Sequence, residues 1–179
     1  MTTTLFTNAH IATGEPGSTA ASTLPLQDIL VTDGVFTAFG PGLAQQYEAQ
    51  GGDPAAIEVV DLGGKLVCPP FCDTHLHLDY VFTARKPGAV NESGTLFEGI
   101  QRWSETKSDL TVDEIKQRAK IGIKKEMLHG VQLIRSHADV TDPNLTSLKA
   151  LLELKEELKD TVTLQIVSFP QEGMYSYEG

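Results

Sequence analysis

Cysteine is scarce in this chain, whose 179 residues include only Cys68 and Cys72. Two cysteines are too few for a disulfide framework, and such sparse use is typical of a reducing compartment. The spacing of Cys68, Cys72 and His75 does not favour a zinc site, because positions 72 and 75 of one strand point to opposite faces. We therefore interpret both thiols as small buried side chains.

Basic residues are also few, with 14 Lys and Arg against 24 Asp and Glu and a net charge of −10. An acidic chain repels phosphate backbones and anionic lipids, so we expect neither nucleic acid nor a membrane as a partner. No apolar run approaches the roughly 20 residues that a membrane span needs. Residues 1–10 lack a basic segment followed by an apolar one, which argues against a secretory signal. These absences favour a cytoplasmic protein that acts on a neutral small molecule.

The first third of the chain shows short apolar runs separated by turn residues. Asp33-Gly34 lies between two such runs and predicts a β-hairpin over residues 28–39. Residues 14–22 are rich in Gly, Ser, Thr and Ala and predict a loop, and the polar residues 46–53 predict a second loop at the surface. We interpret residues 1–66 as a small β-rich unit.

After Pro69-Pro70 the pattern alternates between strands and helices, which predicts an α/β domain with a parallel sheet over residues 67–179. Thr111 and Glu114 form a capping-box pattern, in which the two side chains satisfy free N–H groups at a helix start. Predicted strands cover residues 71–78, 131–135 and 161–169, and predicted helices cover residues 95–107 and begin at Thr111 and at Asp142.

His75 and His77 are the most informative pair in the sequence. Side chains two positions apart on a strand point to the same face, with Cβ atoms roughly 7 Å apart. At that separation, two imidazole nitrogens can converge on one metal ion. The pair also ends its strand, and sites of parallel α/β folds lie at the carboxyl ends of the strands. The pattern therefore predicts two metal ligands rather than two unrelated surface histidines.

Polar side chains also mark the ends of the two later strands. His137 and Asp139 share a face by alternation, where they either orient a metal ligand or form a purely structural pair. Gln171 follows the third strand, and its amide offers a donor and an acceptor that match the amide edge of a pyrimidine-like ring. Pro170 and Gly173 equally predict an exposed turn around it, so both interpretations stay open.

Four sequence segments together resemble the bacterial cytosine deaminases of the amidohydrolase superfamily. The resemblance covers about residues 60–179, and its segments differ in specificity. The His-x-His element is shared by many amidohydrolases, whereas the second and fourth segments are much narrower. The segments are Pro-Pro-Phe-x-x-x-His-x-His-Leu-Asp (69–79), Ser-Gly-Thr-Leu-Phe-Glu-Gly-Ile (93–100), Arg-Ser-His-x-Asp-Val (135–140) and Phe-Pro-Gln-Glu-Gly (169–173).

The resemblance implies a metal-dependent-hydrolase (β/α)8 TIM barrel preceded by a small β-sandwich. It also implies that His75 and His77 bind one divalent ion, Fe²⁺ or Zn²⁺, and that Gln171 contacts the pyrimidine. The remaining ligands and the catalytic acid/base come from later strands in that family, so we expect them beyond Gly179. A TIM barrel needs roughly 250 residues, and residues 67–179 hold about three of its eight strands. We therefore expect an N-terminal portion of a longer protein.

The function that follows is hydrolytic deamination of a cytosine-like nitrogen heterocycle, with cytosine and water giving uracil and ammonia. A related amidohydrolase acting on a triazine or pterin ring is the alternative within the same reaction class. The alternative hypothesis from a different class is that the chain is a non-catalytic truncated remnant. Two histidines alone seldom hold a catalytic ion, since such sites usually supply three protein ligands. We expect the 179 residues alone to be inactive, and a full-length enzyme is compatible with a homo-oligomer.

Overall fold

A computed structural model of the protein describes residues 2–12 and 24–174. The chain divides into two compact units, residues 1–69 and residues 70–179. The predicted loop at residues 14–22 lies outside the described residues. Taken together, the described residues form a mixed α/β fold.

The first unit is built on one mixed sheet. Its strand order is β3-β2-β1-β4, and the short strand β5 also pairs with β1. The strands β1 and β2 pair antiparallel, whereas β4 and β5 run parallel to β1. The elements are β1 (Thr3–Ile11), β2 (Leu26–Thr32), β3 (Val35–Gly40), α1 (Leu43–Ala49), a 3₁₀ turn (Pro54–Ala56), β4 (Glu58–Asp61) and β5 (Leu66–Val67).

The hairpin predicted from Asp33-Gly34 is confirmed. β2 and β3 pair antiparallel around these two residues, with Thr32 opposite Val35. Asp33 has φ 50° and Gly34 has φ 77°. A two-residue hairpin turn with positive φ at both central positions matches the twist of the flanking strands, and Asp and Gly tolerate that conformation best.

The predicted surface loop over residues 46–53 is wrong for its first half, because Leu43–Ala49 form the helix α1. Leu43 is its only buried residue, so the segment has no apolar periodicity that a sequence pattern could reveal. The first turn is instead fixed from outside, since the backbone N–H of Leu43 donates to Asp28 Oδ2 over 3.0 Å. Here tertiary contact decides the local structure.

The second unit contains a parallel three-stranded sheet, as the strand–helix alternation predicts. Its strand order is β6-β7-β8, and both pairs are parallel. Parallel neighbours bring the carboxyl ends of all three strands to one edge. The elements are β6 (Phe71–Leu76), a 3₁₀ turn (Thr83–Arg85), α2 (Leu96–Lys107), α3 (Val112–Leu128), β7 (Val131–Asp139), α4 (Thr146–Glu157) and β8 (Thr163–Phe169).

The core of the second unit lies between the helices and one face of this sheet. Burial alternates along β7, where Ile134, Ser136 and Ala138 are buried while Leu133 is 40% exposed. Apolar residues of α2, α3 and α4 complete the core. Its buried members are Leu78, Trp103, Leu110, Ile115, Ala119, Ile123, Ile134, Ala138, Ala150, Leu151, Leu154, Val162 and Leu164.

The expectation that both cysteines are buried is wrong, because Cys68 and Cys72 are exposed. Cys72 lies beside Leu133 in the β6–β7 register. Neighbouring residues in register point to the same face of a sheet, so Cys72 and Leu133 share the face opposite the buried residues of β7. Within residues 2–12 and 24–174, no helix is both long and apolar enough to cross a membrane.

Candidate metal and substrate site

His75 and His77 bring their ring nitrogens together at the end of β6. The two Nε2 atoms lie 3.3 Å apart, although the strand itself ends at Leu76. Two imidazole nitrogens that each lie 2.0–2.1 Å from one tetrahedral ion are separated by about 3.3 Å. The spacing of the pair therefore fits two ligands of a single divalent ion.

The ring of His77 is held in one orientation by its neighbours. Nδ1 of His77 lies 3.1 Å from the backbone carbonyl oxygen of His137. An N–H donated to that oxygen leaves Nε2 as the nitrogen with a free lone pair, which is the usual arrangement behind metal-binding histidines. Tyr80 stacks on the same ring with centroids 4.7 Å apart. Burial lowers the pKa of His77, and His75 lowers it further, so the neutral form that binds metals is favoured.

His137 joins the pair by its ring as well as its backbone. The ring stacks on His75 with centroids 4.2 Å apart, and it packs at nearly a right angle to the Phe169 ring with centroids 5.8 Å apart. Partial burial and the nearby His75 lower the pKa of His137. The backbone carbonyl oxygen of His137 restrains the His77 ring, while an orienting role for the His137 side chain stays a prediction. Among the described residues, no group of three or more His, Cys, Asp or Glu is arranged to hold an ion. His75 and His77 thus provide a fitting donor pair, and the described residues supply no third ligand of these types.

Asp79 links the end of β6 to the end of β7. Its side chain is fully buried, and Oδ2 accepts the backbone N–H of Asp139 over 2.8 Å. Burial raises the pKa of Asp79 to about 6, and the negative charge of Asp139 contributes in the same direction. The backbone N–H of Leu78, the next residue upstream, donates to Ser136 Oγ over 3.0 Å. These bonds fix the segment that carries His77.

Asp139 faces α2 rather than the histidines. Oδ2 accepts from Trp103 Nε1 over 2.6 Å and from Lys107 Nζ over 3.2 Å, while Oδ1 accepts from the backbone N–H of Thr141 over 2.8 Å. Burial alone would raise the pKa of Asp139, but the bonds from Thr141 and Trp103 and the charge of Lys107 outweigh it and lower the pKa. Alternation placed Asp139 on the face of His137. The structure separates their contacts, because Asp139 ends β7 and finds its donors on α2.

Gln171 lines one of the cavities of the second unit, beside α2. It is half-buried and lines a cavity of about 420 Å³ together with Tyr80, Thr95 and Trp103. Burial raises the pKa of Tyr80 to about 12, and Asp79 adds to the shift, so its phenol stays protonated at neutral pH. Because Tyr80 also stacks on His77, this residue lies between the cavity and the histidine pair.

Sequence reasoning missed four residues that shape the site. They are Tyr80, Trp103, Lys107 and Glu172. One local signal was available, since Trp103 and Lys107 are four positions apart and so lie on one side of α2. Their partners at the ends of β7 and β8 could not be read from local sequence.

Residues 58–179 match the model of the Amidohydrolase family. The match covers more than half of the chain, and its range includes the histidine pair, the cavity and the whole parallel sheet. The chain belongs to this family.

Several similar proteins are enzymes whose names specify 5-methylcytosine, N-isopropylammelide or pterin. The structure of 5-methylcytosine deaminase from Klebsiella pneumoniae in complex with 5-fluorocytosine has a TM-score of 0.78 and 40% sequence identity, over 97% of this chain and 38% of that one. N-isopropylammelide isopropyl amidohydrolase of Pseudomonas sp. (strain ADP) is 35% identical over 120 residues, which are 65% of this chain and 30% of that protein.

Pterin deaminase of Rhizobium rhizogenes (strain K84 / ATCC BAA-868) is 28% identical over 152 residues, or 82% of this chain and 32% of that protein. The chain thus spans about a third of the length of the curated relatives it matches.

Proposed function

We propose that the protein carrying these residues is a metal-dependent hydrolytic deaminase of a cytosine-like nitrogen heterocycle. The observation that supports this most directly is the 3.3 Å approach of the His75 and His77 Nε2 atoms. Beside it, Tyr80 connects the pair to the cavity that Gln171 lines. In the reaction a water oxygen bonds to the ring carbon, the exocyclic C–N bond breaks, and ammonia leaves, so that cytosine becomes uracil.

The fold that we propose for the whole enzyme is a (β/α)8 TIM barrel preceded along the chain by a small β-sandwich. The strands β6, β7 and β8 are then the first three barrel strands, and the first unit's sheet contributes to the β-sandwich. The sequential parallel order of the three strands supports this arrangement. So does the 97% coverage of this chain by the 5-methylcytosine deaminase structure.

In this proposal His75 and His77 hold one divalent ion, Fe²⁺ or Zn²⁺. Such an ion, when bound, supplies Lewis-acid activation of water at neutral pH. The chain's own contribution is to present two neutral imidazoles, one of them fixed through the carbonyl oxygen of His137. In this proposal the further ligands and the acid/base that moves protons to the leaving ammonia come from strands other than β6, β7 and β8.

Gln171 is the proposed substrate-binding residue. A carboxamide carries both a donor and an acceptor, so it can pair with the N–C=O edge of a pyrimidine. Tyr80 and Trp103 line the same cavity and lie 4.8 Å apart, and their rings provide flat apolar surfaces for a planar ring. The similar deaminase solved with 5-fluorocytosine supports a pyrimidine as the first substrate to test.

A triazine or pterin ring is the second candidate. The relatives whose names specify N-isopropylammelide and pterin support it, at 35% and 28% identity. Both ring types carry amide-like edges, so the donor and acceptor of the Gln171 carboxamide can pair with them as well.

The test uses the complete natural polypeptide that contains this sequence, supplied with Fe²⁺ or Zn²⁺. Ammonia release is measured from cytosine, 5-methylcytosine, pterin and N-isopropylammelide in parallel. We expect a pyrimidine to give the highest kcat/KM. His75→Ala is expected to lower the metal content per chain and to reduce turnover by about 10³-fold or more, because a ligand of the catalytic ion is lost.

His129→Ala is the matched control, since His129 is exposed at the end of α3 and, among the described residues, its side chain bonds only to the carbonyl oxygen of Lys125. It should leave metal content and turnover unchanged. Unaltered metal content in His75→Ala, measured by elemental analysis, would refute the ligand assignment. The isolated 179 residues are expected to release no ammonia. Release by that purified chain would contradict the proposal that the acid/base comes from other strands.

A further inference from the structure

We propose that the ion pair between Lys107 and Glu172 is a positioning device that fixes Gln171 toward the substrate cavity. The inference rests on the proposed function, because it assigns the placement of the substrate-binding amide to two residues that do not contact the substrate. Lys107 and Glu172 therefore act through Gln171 and do not touch the substrate themselves.

The ammonium group of Lys107 joins the ends of two neighbouring strands. It lies 3.2 Å from Asp139 Oδ2 and donates to Thr141 Oγ1 over 2.7 Å, both at the end of β7. It also contacts the Glu172 carboxylate, which follows β8. The Lys107 and Glu172 side chains are only 10% and 16% exposed. Ion pairs so shielded are weakly screened by solvent and hold their geometry better than surface pairs.

The ion pair acts on the segment that carries Gln171. This segment turns tightly, since the backbone N–H of Gln171 donates to Phe169 over 3.0 Å and that of Gly173 donates to Pro170 over 2.9 Å. Glu172 is the next residue after Gln171, and its side chain is bound to α2. Holding Glu172 on α2 therefore fixes the backbone from which the Gln171 amide extends.

The same helix also reaches the histidine pair. Trp103 lies one turn before Lys107, donates to Asp139 and contacts the Tyr80 ring, which stacks on His77. α2 thus contacts the substrate-binding segment through Lys107 and the segment of His77 through Trp103. The contacts through Trp103 do not involve Glu172, so loss of the Lys107–Glu172 ion pair should loosen the substrate-binding segment and leave the histidine pair in place.

Glu172→Gln is the most selective variant. It keeps the side-chain volume and leaves Lys107 bound to Asp139 and Thr141. It removes the carboxylate charge of Glu172, so the attachment of the β8 end to α2 is selectively weakened. We expect KM to rise about tenfold with kcat changed little, because Gln171 contacts the substrate equally in the ground state and the transition state. Lys107→Met should give the same KM effect with an added loss of stability, since two carboxylates are left together. Lys107→Arg keeps the charge and should restore much of the affinity.

Hydrogen–deuterium exchange provides a readout that does not depend on turnover. The backbone N–H groups of Val140, Gln171 and Gly173 are bonded within this strand-end region and should exchange faster in Glu172→Gln. The metal content should remain unchanged. Lys116→Met is the matched control, because Lys116 also binds two carboxylates, those of Glu153 and Glu157. It should change neither KM nor exchange at these amides.

The outcomes separate this inference from the proposed function. A raised KM and faster exchange in Glu172→Gln, together with wild-type behaviour in Lys116→Met, support the positioning role. An active wild type whose Glu172→Gln variant keeps its KM and its exchange rates overturns the positioning role alone. A wild type that deaminates none of the four heterocycles overturns the proposed function and this inference together.

Discussion

The helices α2 and α3 follow the same local rules and have different consequences. Each begins at a threonine whose hydroxyl accepts the backbone N–H of a glutamate three positions later, over 3.3 Å at Thr95 and 3.2 Å at Thr111. Each also carries a lysine that binds two carboxylates from other elements. Lys107 of α2 binds at the strand ends of the site, whereas Lys116 of α3 binds the solvent-facing side of α4.

The difference between the two lysines lies in their partners. Asp139 is 2% exposed, while Glu153 is 55% exposed. Charges shielded from water interact strongly and are costly to leave unpaired, whereas exposed pairs are screened and replaceable. A lysine–carboxylate ion pair is therefore a structural constraint at the strand ends, whereas on the α3–α4 surface it contributes little to stability.

Asp139→Ala is expected to have the largest effect on stability. The substitution leaves the indole N–H of Trp103 and part of the Lys107 charge without their buried partner, which should cost about 3–5 kcal/mol in the free energy of unfolding. Urea unfolding of the complete polypeptide measures it. Glu157→Ala removes a carboxylate from the exposed network and should leave the midpoint unchanged. Equal midpoints for the two variants would abolish the contrast between α2 and α3.

A pH series should sharpen the same contrast. The folded pKa of Asp139 is lowered from its ordinary value of 3.8. A carboxyl group whose pKa is lower in the folded state stabilises the fold at pH values above its unfolded-state pKa. That contribution is lost as the pH falls through the folded-state pKa. Wild type should therefore be more stable than Asp139→Asn at pH 7, and the gap should narrow as the pH falls below 3.8. Thermal unfolding at pH 7 and pH 3 tests this, and a gap that widens toward acid would reverse the sign of the assigned shift.

Removal of the two helix caps should have the smallest effects on the free energy of unfolding, and the two effects should be similar. Thr95→Ala and Thr111→Ala each remove one side-chain acceptor and should cost about 1 kcal/mol in unfolding free energy. Only Thr95 lines the cavity, so only Thr95→Ala should also change KM. Unfolding curves and steady-state kinetics on the two variants check this. A KM change in Thr111→Ala would show that capping alone, and not position, alters the site.

The features that sequence predicted best are those set by neighbours in the chain. The cap at Thr111 depends on a residue three positions away, and the hairpin turn depends on Asp33 and Gly34. The approach of the His75 and His77 rings is likewise a local property of positions two apart near a strand end. In each case the interacting atoms are separated by so few bonds that the pattern itself limits their geometry.

The contacts missed from sequence are separated by long stretches of chain. Trp103 meets Asp139 across 36 positions, and His77 meets the carbonyl oxygen of His137 across 60. The helix α1 was missed for a related reason, since its start depends on Asp28 of β2. Alternation gave Asp139 the same face as His137, but the nearby donors of α2 decided where its carboxylate went.

The sequence by itself determined the alternation of strands and helices in the second unit, the parallel pairing of β6 to β8, and the histidine pair at the strand end. Tertiary structure alone decided which side chains surround that pair. It placed Tyr80 on His77, turned Asp139 toward α2, and bound Glu172 to Lys107 beside Gln171. The physical reason is that periodicity and capping act within a few residues, whereas burial and charge pairing depend on which distant segments the packed core brings together.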